Sequence, residues 1–105
     1  MSRKVTINVP VEVTVRDRDM RLLSAVDRLS SGREQSVRVP LAQLSEETEA
    51  SVYTARRSIR ACEEDGYLVV ISNCLANGTQ QENSYRITEE GSRVLMAARA
   101  AGIVS

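Results

Sequence analysis

The chain has 105 residues, enough for one compact core and little more. Fourteen basic residues balance fourteen acidic ones, which excludes a globally basic surface, and the absence of His removes the commonest general base and metal ligand. With no Phe, no Trp and three Tyr, the core has to come from Val, Leu, Ile, Ala and Met. Each fully buried Val, Leu or Ile contributes about 1.5–3 kcal/mol to such a core.

In chain order, Val5, Ile7, Val9, Val11, Val13 and Val15 alternate with Thr6, Asn8, Pro10, Glu12 and Thr14. This period of two, rich in β-branched residues, predicts a strand over 5–15. Pro10 cannot donate to a ladder, so the strand lies at an edge or breaks there. A helical stripe of Leu22, Leu23, Val26 and Leu29 predicts a first helix, capped by Asp17 or Asp19 and stopped by Gly32. Val37-Arg38-Val39 suits a very short strand. Pro40 suits the start of a second, short helix running through Leu41, Ala42 and Leu44 towards Glu47.

A third helix is expected from near Ser51 to Asp65, with Val52, Ala55, Ile59 and Cys62 on one face and Gly66 ending it. Leu68-Val69-Val70-Ile71 and Ser84-Tyr85-Arg86-Ile87 read as two strands around a polar tip with an Asn77-Gly78 turn. Thr88 is placed to cap a last helix carrying Glu89 and Glu90 in its first turn and running to Gly102.

From Asp17 onward the order is helix, short strand, helix, turn, helix, hairpin, helix. A short helix followed closely by a longer one is the helix-turn-helix pattern, whose second helix can enter the major groove of DNA. Here that helix carries Ser51, Tyr53, Thr54, Arg56, Arg57 and Arg60 off its apolar stripe, and its acidic residues collect at Glu63-Glu64-Asp65. Arginine can read guanine or clamp a phosphate, and the hydroxyls can position the backbone. The plainer reading of the three arginines is a solvated face, and of Tyr53 a rim residue packing on the second helix.

The stretch Ser51 to Leu68, SVYTARRSIRACEEDGYL, resembles the recognition helix and exit of winged-helix regulators. Tyr85-Arg86-Ile87-Thr88-Glu89-Glu90-Gly91 resembles the Y-x-L-T-x-x-G stretch of MarR-type and PadR-type repressors, and the polar tip is similar to that of phage and plasmid replication initiators. The resemblance covers roughly residues 17–101. It implies an α+β winged helix-turn-helix over 17–105, with residues 1–16 as an additional N-terminal β-strand or arm. It also implies DNA contacts from Ser51, Tyr53, Thr54, Arg56, Arg57 and Arg60, and from Asn77, Thr79 and Gln80 in the wing. Two departures stand out: the tip over 77–82 holds no Lys or Arg, and a strand stands where MarR-type dimers have a helix.

The function expected from these readings is sequence-specific binding of double-stranded DNA by a transcriptional regulator. Arg16, Arg18, Arg38 and Arg86 are further phosphate candidates. A lone N-terminal strand needs a partner, either its own domain's sheet or the same strand of a second chain, and the latter would give a homodimer on a palindromic site. A protein–protein adaptor is the alternative, favoured by neutrality and the uncharged tip, and a replication or partition factor is a third. No nucleophile–base pair can be assembled, Glu46, Glu47 and Glu49 read as a solvated face, and neither enzyme activity, a small-molecule ligand, a cofactor nor a metal is expected. Cys62 and Cys74 are expected to be structural thiols; with no apolar stretch of membrane-spanning length and no leader, a cytoplasmic protein is expected.

Overall fold

A computed structural model of the chain describes residues 4–9, 11–30, 36–73, 78 and 82–104. The fold is α+β. It begins with strands β1 (Lys4–Val9) and β2 (Val11–Arg16), followed by helix α1 (Asp17–Leu29) and the short strand β3 (Val37–Arg38). Helices α2 (Leu41–Thr48) and α3 (Val52–Glu64) come next, then strands β4 (Leu68–Ile71) and β5 (Ser84–Ile87), and finally helix α4 (Glu89–Ala100).

The N-terminal segment is two strands rather than one. β1 and β2 pair antiparallel, from Lys4 opposite Arg16 to Val9 opposite Val11, so the segment is divided between Val9 and Val11; Pro10 itself lies outside the described residues. The period of two does mark extended chain, but the segment folds on itself and each strand satisfies the other's ladder. Nor does it extend the second sheet, whose strands lie in the order β3-β5-β4 with Val37 opposite Tyr85 and Leu68 opposite Ile87. The hairpin lies instead beside α4 and α1.

The core is aliphatic, as composition requires. Met20, Leu22, Leu23 and Val26 of α1 are fully buried with Leu44 of α2 and Cys62 of α3. Leu68, Tyr85 and Ile87 close it from the sheet, and Val94, Leu95 and Ala98 from α4. Cys74 lies outside the described residues.

Helix ends explain the chain's punctuation. After α3, Gly66 takes a left-handed conformation (φ 79°), its N–H reaching Glu63 O at 3.1 Å and that of Tyr67 reaching Cys62 O at 2.9 Å. This double closure satisfies carbonyls the helix would leave open, as Gly66 predicted. Thr88 caps α4 as expected, accepting from Gly91 N at 3.0 Å. The first helix differs. Its N-cap is Arg16, with no side-chain cap, while Asp17 and Asp19 stand inside the first turn. Its end is at Leu29, with Ser30 extended; the Gly32 stop lies outside the described residues. Among the described residues no helix is long and apolar enough to cross a membrane.

Candidate functional site

α3 faces two ways. Ala55, Ser58, Ile59 and Cys62 are buried, while Tyr53, Arg56, Arg57 and Arg60 are exposed. The spacing produces this directly, since positions three and four apart share a face. Arg56, Arg57 and Arg60 make no ion pair within 4 Å among the described residues; Arg57 lies instead over the Tyr53 ring, 5.8 Å from its centroid. Tyr53 is 67% exposed.

The two hydroxyls at the helix start serve the helix itself. Ser51 Oγ accepts from Thr54 N at 3.0 Å and lies 3.0 Å from Thr54 Oγ1. This is an N-cap, a role worth about 1 kcal/mol. Asn77, Thr79 and Gln80 lie outside the described residues.

The exposed face of α3 lines an open groove of about 700 Å³, and its other wall comes from the N-terminal hairpin and the start of α1. Lys4, Thr14, Arg16 and Arg18 stand there across from Tyr53, Arg56, Arg57 and Arg60. Six cations line this groove against three carboxylates, Asp19, Glu64 and Asp65, so a chain of zero net charge has a locally positive concavity. Arg38 and Arg86 belong to the three-stranded sheet and do not line it. Nothing in the sequence ties Lys4, Thr14 or Asp19 to this groove, because only the fold brings them beside α3.

Asp19 ties the two walls together. It is only 4% exposed; burial raises its pKa above the ordinary 3.8, opposed by a hydrogen bond from Ser58 of α3 and by the charges of Arg18 and Arg16. Arg18 Nε lies 3.4 Å from its carboxylate. Behind it, the Cys62 thiol is directed at the Asp19 carbonyl, 3.7 Å away, and burial pushes the thiol pKa well up, which fits a structural rather than a reactive cysteine.

The raised Asp19 pKa has a definite sign in stability. Between the ordinary and the raised value the folded chain binds the proton that the unfolded chain releases, so stability falls as pH rises through that window. The expected result is that the unfolding free energy of the wild type, relative to Asp19→Asn, declines from pH 3.8 upward and then levels off. Urea melts of both proteins across acidic pH check this. A difference that grows with pH would mean that Arg18 and Ser58 outweigh burial.

Among the described residues no three Cys, Asp or Glu side chains are grouped to hold a metal ion. In comparison with known proteins, no family model and no curated protein matches the chain.

Proposed function

We propose that the chain is a sequence-specific double-stranded DNA-binding protein, a transcriptional regulator built as a winged helix-turn-helix, with α3 lying in the major groove. The observation that carries this reading is the exposed row of Arg56, Arg57 and Arg60 on α3, without an ion pair among the described residues and set in a positive groove of a neutral chain. The element order from α1 to α4 supports it, as does the tight α2–α3 turn, where Glu49 takes a left-handed conformation (φ 56°) and Ala50 N bonds to Ser45 O at 3.0 Å. In this reading β4 and β5 form the wing and the α3 arginines meet base edges and phosphates.

A single such helix contacts only three or four bases, so a homodimer on a two-fold site belongs to the reading. The pairing partner that a lone N-terminal strand would need is supplied within the chain, and the dimer contact therefore need not be that strand. A protein adaptor is the second reading, favoured by the exposed Val52 and Tyr53 at the start of α3.

The test is a titration of a fluorescent duplex of random sequence, repeated across salt. Three or four phosphate contacts give a log–log slope of about −3 to −4, a loss of roughly 100-fold in affinity between 50 and 200 mM salt. No binding at the lowest salt would sink the DNA reading and leave the adaptor.

A further inference from the structure

The hairpin wall of the groove presents two cations, Lys4 and Arg16, that form no ion pair among the described residues, although the charge of Arg16 is felt by Asp19. Lys4 and Arg16 are direct cross-strand partners at the open end of β1–β2, and two like charges so placed repel one another. Next along the same face are Thr6 and Thr14, both exposed, with their hydroxyls 3.4 Å apart. Arg18 is neutralised by Asp19, but neither Lys4 nor Arg16 has an ion pair within 4 Å among the described residues. Both line the groove that Arg56, Arg57 and Arg60 line from the other side.

The repulsion within this arrangement is relieved by an anion. Its cations are spread along both walls, on β1, β2, α1 and α3, rather than converging on one point, and Lys4, Arg56, Arg57 and Arg60 are exposed. That suits an extended polyanion better than a small ion, which would need a closed pocket of convergent donors. The tip over 77–82, where winged helices carry a phosphate-binding cation, has no Lys or Arg, so the charge sits on the other hairpin of this chain.

We infer that the N-terminal hairpin is a second DNA-contacting element, in which Lys4 and Arg16 hold the phosphate strand bordering the major groove that α3 enters. This rests on the DNA-binding reading of α3 and adds to it the element that grips the backbone. The hairpin contact positions the protein without reading sequence.

The experiment uses the full chain and the same fluorescent duplex, with Lys4→Ala/Arg16→Ala beside Arg93→Ala, a cation on α4 held by Glu89 and Glu90. Loss of two phosphate contacts is expected to make the salt slope shallower by about 1.8 units, with the preferred bases in a selected site unchanged. Arg93→Ala is expected to keep the wild-type slope. Should the alanine pair disturb the hairpin by circular dichroism, Lys4→Gln/Arg16→Gln keeps polar stems of similar reach and is read in its place. An unchanged slope in a folded double variant, with wild-type binding intact, overturns the hairpin contact and leaves the α3 reading standing. A wild type that binds no duplex overturns both.

Discussion

Replacing Arg56, Arg57 and Arg60 together with alanine is expected to weaken duplex binding by about a thousandfold or more, at roughly 1.4 kcal/mol or more for each arginine. The fold should not suffer. All three side chains are exposed, none makes an ion pair among the described residues, and alanine favours the helix they occupy. The substitutions do remove the approach of Arg57 to the Tyr53 ring, an interaction worth about 0.5–1 kcal/mol at an exposed site. Circular dichroism and a thermal melt therefore serve as controls beside the titration. A folded variant that binds as the wild type does would show that this face of α3 is not the DNA surface. The single variants separate two kinds of contact. An arginine on a phosphate changes the salt slope for every sequence, whereas one on a guanine relaxes preference at one base pair.

The elements are legible in the sequence wherever local chemistry decides them. Ser84–Ile87 can be bounded to the residue, Thr88 identified as a cap and Gly66 as a stop, because alternation, capping and positive φ act over a few residues. The alternation over 5–15 is equally clear, yet it says only which residues share a face, not whether they form one strand or the paired strands β1 and β2. Asp19 shows the same limit. An acidic residue at a helix start looks like a cap, and only the packing of α1 on α3 places it opposite Ser58 and out of solvent.

The candidate site is half legible for the same reason. Arg56, Arg57 and Arg60 stand out because they lie on one helix, whose period is visible in the sequence. Lys4 and Arg16 come from a segment about forty to fifty-five residues away, and neither pattern nor spacing connects them with α3. The charge balance hides the groove as well. A net charge of zero sums a positive concavity with acidic residues elsewhere, such as Glu46, Glu47, Glu89 and Glu90 on exposed helix faces.

Gly91→Ala is expected to destabilise the fold by about 3 kcal/mol, and its reason bears on what the Tyr85–Gly91 stretch is for. A Cβ at Gly91 would lie 2.2 Å from the carbonyl oxygen of Tyr67 and 2.9 Å from its carbon, both main-chain atoms that cannot swing aside. α4 would have to move off the start of β4. That carbonyl also accepts from Thr88 N at 3.1 Å, while Thr88 Oγ1 donates to Gly66 O at 2.6 Å, so the exit of α3, the entry of β4 and the first turn of α4 meet in one joint. Tyr85 and Ile87, both buried, anchor β5 beneath it. The stretch that resembles winged-helix repressors is thus a packing device: it fixes how the last helix closes the core, and none of Tyr85 to Gly91 lines the groove. Its presence argues for an architecture, and the case for DNA rests chiefly on the arginines of α3. The check is a urea melt of Gly91→Ala beside Ser92→Ala, one position along and expected within about 0.5 kcal/mol of the wild type. Equal stability of the two variants would mean that α4 can shift without cost, and the joint would lose its claim to hold the fold together.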